Sequence, residues 1–329
     1  MTSKKILITG GTGFLGRHLV PRLLGLGHRV RLLVRPTSDT SWLPAEGVEL
    51  VQGDITDAES VRRGLEGVSF VVHAAGLFRF WGSDSRFQRV NTTGTGIIAG
   101  EAARAGVKRF VYISTVVVVG KPPPGELITE ETCCDPRDGY QRSKLAAEGE
   151  ILAHVARGEL PAVILRPGAF YGPQGEYGFN RLFIIDPLRG MRVQVEGGRR
   201  LVFPVFVPDV AWAIARVLEQ PGLGGGEIFN VCGEPVTHRA LNDLVSEIAG
   251  INHWRLNTPR QLMIALAALM ELWAKANRRE PFYPLNLRHY VFNDWPVSSE
   301  KARRALGFQP TPLADGLRKT VGWWRDLSP

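Results

Sequence analysis

Short apolar runs of the strand type alternate with helical periodicity along the first half of the chain. The runs read KKILITG, RVRLLVR, VELVQGD, FVVHAAG and RFVYIST, and helical patterns lie between them, from about 13 to 26 and through NTTGTGIIAGEAARAG. Strands that alternate with helices predict βαβ units, which build a parallel sheet covered on both faces. We therefore predict an α/β fold with a doubly wound parallel sheet.

The alternation loosens after the buried run PAVILRPGAFYGP. Two aromatic stretches, FNRLFII and RRLVFPVFVPD, break the pattern before VAWAIARVLEQ and EIFNVCG supply one more helix and strand. The remainder is mainly helical. We predict a first domain made of residues 1–166 plus about 205–233. A smaller, mostly helical C-terminal substrate domain is predicted from about 167–204 plus 234–329.

A glycine loop follows the first strand. ILITGGTGFLGRHLV places Gly11, Gly13 and Gly16 in a G-x-G-x-x-G pattern that opens a helix. Glycines at these positions permit a tight turn and bring the backbone close to a pyrophosphate, which the helix N-terminus attracts. Because strand, loop and helix occur in the required order, the sequence predicts a dinucleotide-binding Rossmann domain.

The second strand indicates which dinucleotide is bound. NAD sites usually offer an acid about 20 residues after the loop, yet no Asp or Glu lies between Gly16 and Ser38. Arg35 ends this strand instead, and a guanidinium can bind the ribose phosphate of NADP through two hydrogen bonds. NADP is therefore favoured, with NAD left open. In the alternative, Arg35 is a solvated cation and Asp39 binds the ribose.

Tyr140 and Lys144 stand four positions apart in DGYQRSKLAAE, at the predicted start of a helix. Residues four apart lie on one helical face, so a phenol and an ammonium can reach the same site. A neighbouring cation would make the phenol more acidic. Taken alone, the pair also fits a Tyr that packs on the core and a solvated Lys.

Several motifs in series resemble one family. TGGTGFLG, GDITD, HAAG, NTTGT, YIST, YQRSK and RPGAFYGP occur in the order of the extended short-chain dehydrogenase/reductases, the NAD(P)-dependent epimerase/dehydratase family. VFVPDVAWA and the C-terminal segment resemble most the branch of the 3β-hydroxysteroid dehydrogenases. The resemblance covers nearly the whole chain and implies an NAD(P)-dependent oxidoreductase.

The resemblance also implies roles for individual residues. Tyr140 would be the general acid or base, and Lys144 would lower its pKa and hold the nicotinamide ribose. Thr115, preferred to its neighbour Ser114, would bind the substrate oxygen, and Asn91 would order the site. Family positions that contact the cofactor correspond to Gly10, Thr12, Gly13, Phe14, Leu15, Gly16, Arg35, Asp54, Ile55, Ala74, Ala75, Tyr140, Lys144, Pro167, Ala169 and Phe170.

Departures from the family pattern reduce the number of reactions that the enzyme could catalyse. Relatives that dehydrate nucleotide sugars carry an acid directly after the catalytic hydroxyl, whereas Val116 and Val117 follow Thr115 here. Sugar epimerases of the family usually have an acid at the strand end that Arg35 occupies. We predict an NADP(H)-preferring enzyme that interconverts a hydroxyl and a carbonyl. An NAD-dependent sugar or nucleotide-sugar epimerase and a non-catalytic dinucleotide sensor remain the alternatives.

Apolar residues near the predicted pocket indicate a bulky apolar substrate, such as a sterol, a lipid or a polycyclic ketone. The aromatic members are Phe78, Phe80, Trp81, Phe179, Phe183, Phe203 and Phe206. A nearly all-apolar helix is predicted over 261–279, with an apolar run from Leu262 to Met270 that is too short to span a bilayer. This helix could form a lid, contact a membrane surface or lie buried in its own domain.

Composition adds few constraints. The net charge is +8, from 40 Lys and Arg against 32 Asp and Glu, but the basic residues are scattered without a nucleic-acid-binding motif, so we expect no nucleic-acid partner. The seven histidines show no ligand pairing, and no metal site is predicted. Three cysteines fit no disulfide framework, and no secretory signal is visible, so we expect a cytoplasmic protein. A homodimer is a family-level expectation.

Overall fold

A computed structural model describes residues 3–277 and 279–327, and its centre is a parallel sheet of seven strands. Within those residues the strand order is β11-β6-β5-β4-β1-β2-β3. The strands are β1 Lys5–Thr9, β2 Arg29–Val34, β3 Val48–Gln52, β4 Phe70–His73, β5 Arg109–Ile113, β6 Ala162–Pro167, β7 Ala169–Tyr171, β8 Val193–Val195, β9 Leu201–Val202, β10 Pro204–Phe206, β11 Gly225–Val231, β12 Val236–Thr237 and β13 Leu256–Thr258. The predicted doubly wound α/β fold is confirmed.

Helices cover both faces of this sheet and build most of the second unit. They are α1 Gly16–Gly25, α2 Ala58–Leu65, α3 Asp84–Phe87, α4 Gly94–Arg104, α5 Gly139–Ala156, α6 Asp186–Leu188, α7 Val207–Glu219, α8 His238–Ala249, α9 Arg260–Asn277, α10 Arg288–Val291, α11 Glu300–Leu306 and α12 Leu313–Leu327. A π-helical turn, Gln88–Thr93, leads directly into α4.

Alternation along the strands divides the core into two layers. Ile6 and Ile8 of β1 pack with helices α1 and α7, whereas Leu7 between them packs on the opposite face with α2, α4 and α5. Both faces are therefore apolar, as the near-continuous apolar strand sequences require. Parallel strands bring their carboxyl ends to one edge, and the loops at that edge carry the predicted site residues.

The second unit is built from short two-stranded sheets and helices. Strand β7 pairs with β10, β8 with β13 and β9 with β12, and helices α8 and α12 pack together over them. The predicted boundary near 234 assigns residues 300–308 to this unit. In the structure Ala302, Leu306 and Phe308 instead join the core formed by α1 and α7. The chain thus returns to the first unit after the substrate region.

Helix α9 lies on the surface. Only Ala267 and Ala274 are buried along its length, so the alternative of a helix buried in its own domain is wrong. It packs near the turn Leu285–Leu287. Among the described residues, no helix combines the length and apolarity needed to cross a membrane.

Gly16→Ala is expected to destabilise the fold and the dinucleotide loop together. A Cβ at Gly16 would lie 1.9 Å from the Gly11 carbonyl oxygen, a backbone atom that cannot move cheaply. We expect a loss of about 1–3 kcal/mol in urea unfolding. The control is Gly25→Ala in the same helix, where a Cβ meets nothing within 4 Å. If both alanines are tolerated equally, the close approach of helix and loop has no energetic role.

Candidate active site

A cavity of about 720 Å³ opens at the carboxyl edge of the sheet. The loop between β1 and α1 forms one wall, where Gly10 adopts φ +72° and a Cβ would lie 2.7 Å from the Ala74 carbonyl carbon and the Ala75 nitrogen. The Gly13 N–H donates to the Gly10 carbonyl at 3.0 Å and closes the turn. Only glycine fits at position 10, and because it has no side chain, the backbone there is exposed to the cavity.

Three charged residues around the end of β2 have different surroundings. Arg35 lines the cavity and, within the described chain, makes no ion pair. Arg31 is buried against Glu49 and backbone carbonyls, which gives it a structural role. Asp39 is bound by Arg17 at 2.9 Å and by Ser41, and it does not line the cavity. Arg35 is therefore the charged group of the three that a ligand could meet.

The N-terminus of α5 positions the phenol of Tyr140. Asp138 caps this helix by accepting a hydrogen bond from the Gln141 N–H at 2.8 Å, and the Tyr290 hydroxyl donates to the same carboxylate at 2.6 Å. Tyr140 is the second residue of α5 and packs against Phe78, with ring centroids 5.0 Å apart. The cap and the aromatic contact hold the phenol at the cavity wall.

Lys144 lies one turn further along α5 and is almost completely buried. Its Nζ donates to the Ile113 carbonyl at 2.6 Å and lies 4.2 Å from the centre of the Tyr112 ring. Burial lowers the pKa of this ammonium to about 7, although the carboxylate of Glu148 opposes the shift. The amine is thus fixed at the end of β5, and it can gain or lose a proton near neutral pH.

The surrounding protein raises the pKa of the Tyr140 phenol above its ordinary value. Burial is the main cause, the charge of Asp138 adds to it, and a hydrogen bond with the Thr115 side chain opposes it. The sequence predicted a lowered pKa for Tyr140 instead, because a cation at Lys144 would stabilise the phenolate. At neutral pH the phenol is therefore protonated and able to donate a proton.

The two adjacent hydroxyls after β5 point to different partners. Ser114 donates to the Glu148 carboxylate at 2.5 Å, and that carboxylate also accepts from Arg166 at 2.6 Å. The Thr115 hydroxyl instead faces Tyr140 and accepts from the Val117 N–H at 3.4 Å. Alternation along the extended backbone explains this division. Both residues line the cavity, but the Ser114 hydroxyl is committed to a buried ion pair, whereas the Thr115 hydroxyl faces Tyr140.

Asn91 lies in the π-helical turn before α4 and does not itself line the cavity. Its side-chain carbonyl accepts from the Leu77 N–H at 2.7 Å, and its amide donates to the Leu77 carbonyl at 3.0 Å and to Ser143 at 2.9 Å. The Ser143 hydroxyl donates to the Tyr140 carbonyl at 2.8 Å. Asn91 therefore connects a cavity-lining loop to the turn of α5 that carries the phenol.

His73 extends this network and was missed by sequence reasoning. Its ring is buried between the Thr9 hydroxyl, 2.6 Å from Nδ1, and the Thr95 hydroxyl, 2.9 Å from Nε2. Since Thr95 donates to the Asn91 carbonyl, it accepts from Nε2–H. Burial, with the charge of Lys144, lowers the pKa of His73 to about 3 and keeps it neutral. The sequence feature that could have revealed His73 is its position in HAAG, at the end of a strand.

Most of the predicted site residues line this cavity. Gly16 and Asn91 stand behind its wall. Those that line it are Gly10, Thr12, Gly13, Phe14, Leu15, Arg35, Asp54, Ile55, Ala74, Ala75, Thr115, Tyr140, Lys144, Pro167, Ala169 and Phe170.

Five of the seven predicted aromatic residues also line the cavity, whereas Trp81 and Phe206 do not. Phe206 is buried in the second unit against Tyr171. The structure adds Tyr177 and Tyr290, which pack on Phe80 with centroids 5.8 and 5.0 Å apart. Neither tyrosine belongs to a recognisable motif, so only the fold brings them to the cavity.

Comparisons with known proteins agree with this geometry. Residues 6–232 match the NAD dependent epimerase/dehydratase family. Sterol demethylase protein B of Methylococcus capsulatus is 32% identical, over 97% of this chain and 98% of that protein. The 3 beta-hydroxysteroid dehydrogenase type 7 of Homo sapiens is 32% identical, over 96% and 94%. The crystal structure of gox2253 has a TM-score of 0.84 and 30% identity, and the match covers 99% of both chains.

The chain belongs to the NAD dependent epimerase/dehydratase family, within the extended short-chain dehydrogenase/reductases. This confirms the family predicted from the motifs. It is an enzyme of the oxidoreductase type, with named oxidoreductases among its relatives.

Proposed function

We propose that the protein is an NADP(H)-preferring oxidoreductase that interconverts a hydroxyl and a carbonyl on a bulky apolar substrate. The observation that carries the proposal is a Tyr140–Thr115 pair at the wall of a cavity whose adjoining surface is aromatic and aliphatic. That surface is formed by Phe78, Phe80, Val117, Tyr177, Phe179, Leu182, Phe183, Val202, Phe203, Leu287, Tyr290 and Val291. A sterol-like, lipid or polycyclic molecule fits this lining.

The residues at the glycine loop fit a dinucleotide. Gly10 leaves the backbone open where any Cβ would collide with Ala74 and Ala75, and helix α1 begins directly behind the loop. A pyrophosphate is favoured there by the helix N-terminus. When bound, the nicotinamide supplies or accepts the hydride. Ile55 and Phe170 would pack on the cofactor, while Lys144 would hold its ribose.

In the reduction direction Tyr140 would donate the proton to the carbonyl oxygen. Its raised pKa keeps the phenol protonated, which is the form that a general acid needs. Thr115 would hydrogen-bond the same oxygen and orient the carbonyl. For alcohol oxidation the phenolate must form, and positive charge at Lys144 would stabilise it. Asn91 would act through Leu77 and Ser143 as a positioning residue.

The names of two relatives support the apolar substrate class. One is named as a sterol demethylase protein and the other as a 3 beta-hydroxysteroid dehydrogenase. Two sequence features argue against the sugar epimerase alternative. Arg35 replaces the acid of the NAD-retaining enzymes, and Val116 and Val117 provide no second acid after Thr115.

Arg35→Ala is expected to weaken NADPH binding by about 10- to 100-fold and to leave NADH binding nearly unchanged. The guanidinium lines the cavity and is free of ion pairs among the described residues, so it can bind the ribose phosphate. Fluorescence titration of both cofactors measures the effect. The control is Arg29→Ala, an exposed arginine at the opposite end of β2. Equal losses for NADPH and NADH would contradict the assignment.

The cofactor content of the purified protein separates the two enzyme classes. An exchanging reductase should arrive without retained cofactor, bind added NADPH and oxidise it when an apolar ketone is present. An epimerase should arrive with tightly held NAD and interconvert nucleotide sugars without net change in the cofactor. Retained NAD together with sugar epimerisation would overturn the proposed function.

A further inference from the structure

The outward face of helix α9 is apolar along its whole length. Leu262, Leu269, Leu272 and Trp273 have exposed fractions of 57%, 65%, 66% and 64%. Other exposed positions on the same face are Ala265, Leu266 and Ala276. At 100° per residue these seven positions fall within about one third of the helical circumference. A surface helix normally turns its polar residues outward, and this helix does the opposite.

The charged residues of α9 lie away from this face. Glu271 and Lys275 pair at 3.9 Å, on the side between the exposed leucines and the buried Ala267 and Ala274. Of the large hydrophobic residues that are exposed in the described chain, eight of fourteen fall between 254 and 282. The eight are Trp254, Leu256, Leu262, Leu266, Leu269, Leu272, Trp273 and Phe282. Five of them, from Leu262 to Trp273, lie on the outward face of α9, and an exposed apolar face of this kind marks an interaction surface.

The charge around this apolar face favours one occupant. The sequence from 251 to 292 carries six basic residues and two acidic ones, namely Arg255, Arg260, Lys275, Arg278, Arg279 and Arg288 against Glu271 and Glu280. Glu280 is already bound by the Tyr177 hydroxyl at 2.8 Å and by Arg79 at 3.5 Å. An apolar helical face in a segment with this excess of basic residues matches the acyl and headgroup regions of an anionic bilayer.

We propose that the outward face of α9 docks the enzyme onto an anionic lipid surface. The helix is anchored to the protein by its inner face, so its leucines and Trp273 enter the headgroup and acyl boundary sideways. The surface also leads to the cavity, because α9 packs near the turn Leu285–Leu287 and Leu287 lines the cavity wall. If the proposed apolar substrate is correct, this arrangement would let it enter from the bilayer.

Vesicle flotation tests the docking without any substrate. We expect the full-length protein to float with vesicles of equimolar phosphatidylcholine and phosphatidylglycerol, and to float less with phosphatidylcholine alone or at high salt. The double variant Leu269→Glu and Trp273→Glu should lower the partition coefficient by about 100-fold or more, because both apolar anchors are lost. NADPH binding should be unchanged, since neither residue lines the cavity.

The matched control replaces two exposed leucines elsewhere, Leu50→Glu and Leu127→Glu, whose exposed fractions are 47% and 57%. This control should float like the parent protein, and circular dichroism melting should report intact folding for both double variants. Failure of the parent protein to float, or equal flotation of the α9 variant, would overturn the proposal. If the parent instead forms an oligomer that the α9 variant lacks and does not float, the face belongs to a second copy.

Discussion

Tyr140→Phe should lower kcat for ketone reduction by about 10²- to 10⁴-fold, the usual contribution of a positioned general acid. The change removes one oxygen and keeps the ring contacts with Phe78 and Phe87, so the fold and the cavity should remain intact. NADPH affinity should stay close to that of the parent protein, because the phosphate loop and Arg35 are untouched. Steady-state rates and a fluorescence titration on the same preparation measure both quantities.

The control for this loss is Tyr171→Phe. Tyr171 is as deeply buried as Tyr140, but it packs in the second unit against Phe179 and Phe206 and does not line the cavity. Its variant should keep full turnover. A Tyr140→Phe enzyme that retains normal kcat would remove the phenol from the mechanism, and a parallel loss in both variants would indicate a folding defect.

Glu148→Ala should cost about 3–5 kcal/mol of unfolding free energy, because it strands the Arg166 guanidinium in the core. The exposed fractions of the two side chains are 5% for Arg166 and 2% for Glu148, and two hydrogen bonds of 2.6 and 2.9 Å join them. The variant also leaves the Ser114 hydroxyl without its acceptor. Urea unfolding at neutral pH measures the loss.

Two further variants separate burial from charge. Asp315→Ala breaks a pair with Arg318 at 2.8 Å on the surface, and it should change stability by no more than about 1 kcal/mol. The double variant Glu148→Leu with Arg166→Met removes both buried charges and should recover most of the stability that Glu148→Ala loses. A loss below about 1 kcal/mol for Glu148→Ala would show that water solvates the unpaired Arg166 guanidinium, which would contradict the prediction.

The parallel sheet and the wall of the cavity follow largely from local sequence. β1, its glycine loop and α1 are specified by contiguous residues, and the parallel sheet then brings Tyr140 and Lys144 to the same edge as Gly10. The helix ends were predicted less accurately. The predicted helix from 13 to 26 begins at Gly16, since the first residues form the loop.

Features that depend on distant segments were not predictable. In the π-helical turn the Asn91 side chain binds Leu77 and Ser143, which adjoin it only in the fold. The raised pKa of Tyr140 follows from burial, which a four-residue spacing does not reveal. Residues 300–308 read as part of the C-terminal unit, yet Phe308 completes the core beside α7.

Some expectations remain predictions. These are the homodimer, the cytoplasmic location and the absence of a nucleic-acid partner. The division into two domains also remains a prediction, although Ala302, Leu306 and Phe308 pack in the core of the first unit. The proposed preference for NADP over NAD depends on the guanidinium of Arg35.

The most direct measurement of the central claim is oxidation of NADPH by the purified protein in the presence of a 3-ketosteroid, followed by the loss of reduced-nicotinamide absorbance. The account predicts steroid-dependent oxidation with transfer of one hydride per carbonyl reduced, faster with NADPH than with NADH, and absent in Tyr140→Phe. A protein that leaves a panel of steroid, lipid and polycyclic ketones unreduced, yet epimerises a nucleotide sugar with retained NAD, would contradict it.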